Sequence, residues 1–471
     1  MAKTVYHDGD EGVSLIVKQP KGKKAVQRAA RFPVHVVYGG ADRFSRETPR
    51  KLGDIALKTL ETYAPDFAAF ARAMSLPEAE GLPTDAEEIQ RLDRRIARNK
   101  AKAREELPKE WFAWSVHRKT LAKLAAEPVE DLRIDFEDGY GFRPDEEEDR
   151  DAERSAQELA ATVSSGSVTR GSGFRIKSLQ PETHARAIRT LDLFLEAFIA
   201  SAGRIPDGFV ATLPKITHRK QVRELADRVR KFEKKHGLAT GVIGIELMIE
   251  TPEAIVSPKG NFAIPELVKA GKGRVTSAHF GAYDYTSALG ISAADQHIGH
   301  DACNFARQIM LATLAPLGLR VADSVTTKLP VGIHRGKPSQ QQLDEDRVAV
   351  HEGWAEHFEN VTRSMQNGFH QSWDLHPNQL PARFAAVYAF YLKNVDEHAV
   401  RLKKFLERST KATLSGNTFD DAASAQGILN FFVRGIDCGA LSEKEAGLFT
   451  GLSPKEIRSS FQDIATSRSG S

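Results

Sequence analysis

GIELMIETPEAI (residues 244–255) and VTSAHFGAYDYTSALGI (residues 275–291) decide how this chain is to be read. Each opens as an apolar run long enough for one strand and closes on a carboxylate. Glu250 directly precedes Thr251 and Pro252, and Asp284 follows the run through Phe280–Tyr283. Working outward, similar runs recur: VHVVYG from Val34, LRIDFED from Leu132, GFRIKS from Gly173, GFVATLPK from Gly208, RVADSVTT from Arg320 and SWDLHP from Ser372. Helix-like segments separate them. Short runs rich in Val, Ile and Phe alternating with helices are the pattern of βα units around a parallel sheet. About eight such strands predict a closed (β/α)8 barrel.

In such a barrel the reactive groups stand at the C-terminal strand ends. Charges do gather at the ends of these runs. Asp135, Glu137 and Asp138 follow the second, Arg175 and Lys177 the third, Lys215 the fourth, Glu250 the fifth and Asp284 the sixth, while Asp323, Asp374 and His376 belong to the last two. Adjacent fifth and sixth strands would bring Glu250 and Asp284 together. Two carboxylates that close repel unless a cation sits between them. Hard oxygen ligands suit Mg²⁺ or Mn²⁺, and Mg²⁺ usually keeps waters and substrate oxygens as its other ligands.

The spacing is uneven. Nearly a hundred residues separate the first strand from the second, where roughly 30 suffice for a βαβ unit. The excess predicts a helical insertion over about residues 60–128, where ETYAPDFAAFARAM has helical apolar spacing and DAEEIQRLDRRIARNKAKAREE has the alternating charge of a solvated helix. After Pro381 the pattern turns helical again. The expected organisation is a catalytic barrel over 30–380 and a C-terminal helical extension over 381–465.

Composition narrows the function classes. The chain has 471 residues, with 66 basic residues nearly balancing 63 acidic ones, so nucleic acid is not an expected partner. Cys303 and Cys438 are its two cysteines, without metal-ligand spacing, which points to a reducing cytoplasm. The opening MAKTVYHDGDEG has no apolar run that reads as a signal peptide, and no later stretch of about 18 apolar residues could span a bilayer. A cytoplasmic location and no membrane partner are expected. The letters HIGH at 297–300 match a nucleotide-binding signature, but they follow the sixth strand rather than a first βα turn and are read as coincidence.

The two quoted segments resemble the paired metal-ligand motifs of the citrate lyase β-subunit family, the HpcH/HpaI aldolases within the phosphoenolpyruvate/pyruvate-binding TIM-barrel superfamily. Further segments are similar in the same order: DFEDGYGFRPDEEEDRDAER to the acidic motif after the second strand, FRIKS to the third, FVATLPKI to the fourth, DACNFARQIMLATLAPLGLRVADSV to the helix and seventh strand, and WDLHPNQL to the closing His-Pro-x-Gln motif. The resemblance runs from Leu132 to Leu380.

It implies that Glu250 and Asp284 bind the metal, that Glu137 and Asp138 orient its waters or the substrate, and that Arg175 grips a carboxylate or enolate oxygen with its rigid donor fork. Lys215 would stand near the site, although pairing with Glu137 would explain it equally. Several family members borrow an acid or base from a C-terminal motif of a neighbouring subunit, and TFDDAAS offers Asp420 without the usual proline. The family's first-strand arginine has no counterpart in FPVHVVYGGADRF, leaving Arg31 or Arg43 as substitutes. The implied activity is a retro-aldol or retro-Claisen lyase acting on a small hydroxy acid or its coenzyme A thioester, in a homo-oligomer with a small anionic substrate. Handling of phosphoenolpyruvate or pyruvate, thioester hydrolysis at the same site, and a non-catalytic assembly role are the alternatives.

Overall fold

Residues 32–410 and 422–469 are described by the structure, a computed structural model. Eight strands, β1 (His35–Gly40), β2 (Asp131–Asp135), β3 (Gly171–Arg175), β4 (Phe209–Leu213), β5 (Gly244–Ile249), β6 (Val275–Phe280), β7 (Arg320–Val325) and β8 (Gln371–Asp374), close in sequence order into a parallel barrel. The strands β2 to β5 end before the runs that predict them, so Glu137, Asp138, Lys177, Lys215 and Glu250 lie in the loops just beyond the strands. The register pairs Gly40 with Asp135, Asp135 with Arg175, and Arg175 with Thr212, which brings the C-terminal ends of β1 to β4 to one level.

The outer faces of the strands supply the core against the helices. Phe174 of β3 and Phe209 of β4 meet Phe194 and Phe198 of the helix His184–Ala202, with the Phe174 and Phe194 rings stacked at 4.1 Å between centroids. Each buried phenylalanine stabilises the packing by about 1.5–3 kcal/mol. Alternation along the strands turns the other residues inward, and here the lumen holds a charged network beside the apolar cluster of Val36, Tyr38, Met248 and Trp373. Arg133 of β2 donates from Nε and Nη2 to both oxygens of Glu246 on β5, each at 3.0 Å, and also pairs with Asp131. Glu246 further accepts from Thr212 at 2.8 Å and Ser277 at 2.7 Å. A carboxylate at that depth persists only because a guanidinium and several donors satisfy it.

Between β1 and β2 stand the helices Thr48–Tyr63, Phe67–Ala73, Ala86–Arg98, Lys100–Glu106 and Pro108–Ala126. The last delivers the chain to the N-terminal end of the barrel, where the buried Lys123 pairs with Glu130. After β8, the helix Leu380–Thr410 packs on Pro108–Ala126 and on Gln340–Gln366, and Ala422–Asp437, Glu443–Thr450 and Phe461–Ser469 pack on it in turn. The aromatic residues Tyr391 and Phe431, 5.0 Å apart, join the first two of these C-terminal helices. Among the described residues no helix is long and apolar enough to cross a membrane.

Candidate functional site

Glu246, Met248 and Glu250 share one phase of β5, so Glu250 points into the mouth of the barrel directly above the lumen. It is buried, and its Oε1 accepts the backbone N–H of Lys215 at 2.6 Å. Gly281 lets the β6 loop close on it, since a Cβ there would come within 2.6 Å of Glu250 Oε2. Burial pushes the Glu250 carboxyl up to about 8, with Asp284 adding to the rise and Lys215 and Arg175 opposing it. Asp284 sits in the first turn of the helix Ala282–Ala288, whose start is anchored by Ala282 N–H donating to Ser324 Oγ at 3.1 Å. Its side chain is 47% exposed. Adjacent strands thus present one buried and one accessible carboxylate to the same opening.

The loop after β2 is organised by Asp135, which accepts backbone N–H groups of Glu137 at 3.1 Å and Gly139 at 2.8 Å. Asp135 also takes both Nε and Nη2 of Arg175, at 2.7 and 2.6 Å. The remaining Nη1 of Arg175 lies 3.1 Å from Glu137 Oε2. The guanidinium is buried and rests over the Tyr38 ring at 5.0 Å and the Trp373 ring at 5.4 Å. Burial lowers and its carboxylate neighbours raise its proton affinity, and the neighbours win. Burial pushes Glu137 up, whereas in Asp138 burial is outweighed by the hydrogen bond to Glu137 and by Lys215 and Arg175.

Lys215 is where these elements meet. Its Nζ lies 2.7 Å from Glu137 Oε1, 3.1 Å from Asp138 Oδ2 and 3.4 Å from Asp284 Oδ2. Pairing with Glu137, one of the two roles open from sequence, is therefore realised together with contact to the site. Burial lowers and the surrounding carboxylates, Glu250 and Glu137 first, raise its proton affinity, and the net direction is up.

Five carboxylates, Asp135, Glu137, Asp138, Glu250 and Asp284, thus face two cations, Arg175 and Lys215. The donor set consists of oxygen alone, carries excess negative charge, and includes a carboxylate whose ionisation burial penalises. That chemistry fits a hard divalent cation held by Glu250 and Asp284, with its other positions left to water or substrate oxygens. Among the described residues no group of three or more His, Cys, Asp or Glu side chains is gathered to hold a metal by itself.

Other sequence expectations land elsewhere. Asp323 pairs with Arg307 at 2.8 Å, and Asp374 pairs with Arg383 at 2.7 Å and with His35 and His357, all toward the surrounding helices, because they occupy the outward phase of β7 and β8. Lys177 Nζ donates to Phe136 O at 2.6 Å and pairs with Glu148. His300 caps the helix Asp301–Leu314. Arg43, one substitute for the first-strand arginine, is 80% exposed against Asp42. Arg31 and Asp420 lie outside the described residues. The sequence patterns single out neither Tyr38 nor Trp373, the aromatic bed of Arg175, and assign Asp135 no role of its own. Strand period contained the signal: Tyr38, Asp135, Arg175 and Trp373 all fall on inward phases.

A family model described as a domain of unknown function, DUF6986, matches residues 22–464. No curated protein sequence matches the chain. Solved structures similar to it include CitE from Mycobacterium tuberculosis in complex with magnesium and acetate, 20% identical over 58% of this chain and 87% of that chain, with a TM-score of 0.36. The citrate lyase β subunit from M. tuberculosis complexed with oxaloacetate and magnesium is 20% identical over 58% and 92%, with a TM-score of 0.35. The Haloferax volcanii malate synthase magnesium/glyoxylate complex is 13% identical over 94% and 93%, with a TM-score of 0.42. With the family model spanning the barrel and nearly all of the C-terminal helices, this (β/α)8 chain belongs to the DUF6986 family.

Proposed function

We propose that the chain is a Mg²⁺- or Mn²⁺-dependent carbon–carbon lyase that cleaves a small hydroxy acid, or its coenzyme A thioester, by retro-aldol or retro-Claisen chemistry. The observation that carries this reading is the meeting of Glu250 and Asp284 at the barrel mouth, within reach of one lysine and beside one locked arginine. The collinear motifs from Leu132 to Leu380 support it independently. Glu250 and Asp284 would hold the ion. When bound, the ion supplies Lewis-acid polarisation of a substrate carbonyl oxygen.

The chain's own residues account for the rest. Breaking the bond beta to a carbonyl leaves negative charge on that oxygen, and requires that the hydroxyl proton be removed as the carbon–carbon bond breaks. Glu137 is the assigned base, because burial raises its proton affinity while Arg175 and Lys215 keep its ionised form accessible. Asp138 orients Glu137 and Lys215. Arg175, held rigid by Asp135, contributes a fixed positive field beside the developing enolate rather than a free fork for a carboxylate. Asp420 retains its proposed acid–base role from a neighbouring subunit. The reading further assigns a cytoplasmic homo-oligomer acting on a small anion.

The purified full chain, supplied with Mn²⁺ or Mg²⁺, is expected to cleave members of a panel of hydroxy acids and their coenzyme A thioesters, or to condense pyruvate or acetyl-CoA with aldehydes and 2-oxo acids. Inactivity across the panel in both directions, with Mn²⁺ demonstrably bound, would overturn the reading. Sedimentation velocity at micromolar protein measures the oligomer, and a monomer would remove the subunit-borrowing role of Asp420.

A further inference from the structure

Most charged groups at the mouth are fixed by the scaffold. Arg175 is buried between two aromatic rings and two carboxylates, Asp135 is held by backbone and guanidinium donors, and Glu250 is buried against the β6 loop. Lys215 is different. Its backbone is pinned, whereas its side chain is a flexible stem held by ion pairs at a partly exposed tip.

The pinning is visible in its dihedrals. Lys215 has φ 48°, the left-handed region that a residue with a Cβ adopts only when its surroundings over-determine it. Two hydrogen bonds do so: the N–H donates to Glu250 Oε1 at 2.6 Å, and the carbonyl accepts from Gln180 Nε2 at 3.1 Å. Beyond the Cα, four methylenes lead to an ammonium whose side chain is 32% exposed, and which touches Glu137, Asp138 and Asp284. One residue therefore reaches both carboxylates assigned to the metal, Glu250 through its backbone and Asp284 through its ammonium.

These two contacts are not equivalent when a divalent ion enters. The backbone N–H of Lys215 binds one oxygen of Glu250 and leaves the other available. The ammonium, by contrast, is a positive charge on the very carboxylate a second cation must use, and like charges at that distance repel. The contact to Asp284 is partly exposed, where an ion pair contributes little, and the lysine stem is flexible, so displacement is easy.

We infer that Lys215 is a built-in competitor of the divalent ion: its ammonium neutralises Asp284, Glu137 and Asp138 until an ion displaces it from Asp284. Once displaced, it remains tethered at the mouth. Arg175 is already committed to Asp135 and Glu137, so the released ammonium is the cation placed to receive the anionic group of the substrate. The inference rests on the assignment of Glu250 and Asp284 as metal-binding residues, and it makes metal entry and substrate capture two consequences of one side-chain movement.

The direction of a single binding constant tests it. Mn²⁺ binding to the full chain is titrated by calorimetry and by the loss of the free-ion paramagnetic resonance signal, for wild type, Lys215→Met and Lys215→Gly. Methionine keeps the stem without the charge, and glycine suits the left-handed backbone, so a folding defect in one is checked by the other. Both variants are expected to bind Mn²⁺ ten-fold or more tightly than wild type. A lysine that merely supports the loop predicts the opposite sign, and equal or weaker binding in both variants, with wild type binding normally, overturns the inference alone. Absence of Mn²⁺ binding in all three proteins overturns the metal assignment itself and the inference with it.

Discussion

At the scale of one residue, Glu250 carries the proposed metal assignment. Its carboxyl is buried, pushed up to about 8, and faces Asp284, so ionisation is penalised until positive charge arrives. Glu250→Gln keeps the shape and an oxygen able to accept the Lys215 N–H but deletes the charge. The variant is expected to weaken Mn²⁺ binding by about 100-fold or more, since removal of outer-shell partners alone costs 10–100-fold. Its thermal midpoint without metal is expected to stay level, because a carboxyl pushed up to about 8 is mostly uncharged at neutral pH and the amide replaces it with the same shape and the same acceptor. Calorimetric titration and differential scanning calorimetry read the two outcomes, and a fall in both quantities would identify Glu250 as structural. The carboxylate at the end of GIELMI was legible from sequence. Its partner Lys215 was ambiguous there, because an ammonium's choice among Glu137, Asp138 and Asp284 depends on how three loops converge.

At the scale of the element, the helix Pro108–Ala126 carries a buried histidine that the chemistry does not use. His117 lies against Phe70, the rings tilted by 46° with centroids 4.9 Å apart, and its Nδ1 has no hydrogen-bond partner among the described residues. Burial, with Arg118 assisting, pushes it down to about 4, whereas the unfolded chain titrates near 6.5. A depressed folded value means that the unfolded state binds the proton first. The stability tied to neutral His117 is therefore intact above about pH 6.5 and lost as pH falls toward 4. In urea denaturation, His117→Leu is expected to gain about 1 kcal/mol relative to wild type on moving from pH 7.5 to 5.5. An identical pH slope in both proteins would show that His117 is not the titrating group. Sequence placed this helix in an insertion of undefined packing. Its buried face was illegible because its partners, the helices Phe67–Ala73 and Leu380–Thr410, come from both sides of it in the chain.

At the scale of the whole molecule, the barrel is closed around a charged axis. Arg133 joins β2 to β5 across the lumen through Glu246, and Asp131 extends the same network to Gln371 of β8. Arg133→Met leaves two carboxylates buried without their guanidinium and is expected to destabilise the fold by about 3–5 kcal/mol. Chemical denaturation measures it. Pairing Arg133→Met with Glu246→Leu should recover part of the loss, since it removes one of the two carboxylates that the single variant orphans and leaves only Asp131. No recovery in the double variant would mean that the axis acts through shape rather than charge.

The chain's sequence determined the barrel by itself. Eight short apolar runs separated by helical segments admit few other closures, and strand period places Glu250, Arg175 and Asp135 on inward phases without knowledge of any contact. It also brought Glu250 and Asp284 to one place, because neighbouring strands of a parallel barrel end side by side. Tertiary structure alone decided which charges are free. Asp374 ends β8 and Asp323 lies inside β7, and their outward phase commits them to Arg383 and Arg307, whereas Glu250 just beyond β5 turns inward. Arg175 resembles a substrate anchor in one dimension and is a locked strut in three, held by Asp135, Tyr38 and Trp373 from three other strands. The physical reason is common to these cases: periodicity is a property of the local backbone, whereas the pairing of charges depends on distances between segments far apart in the chain.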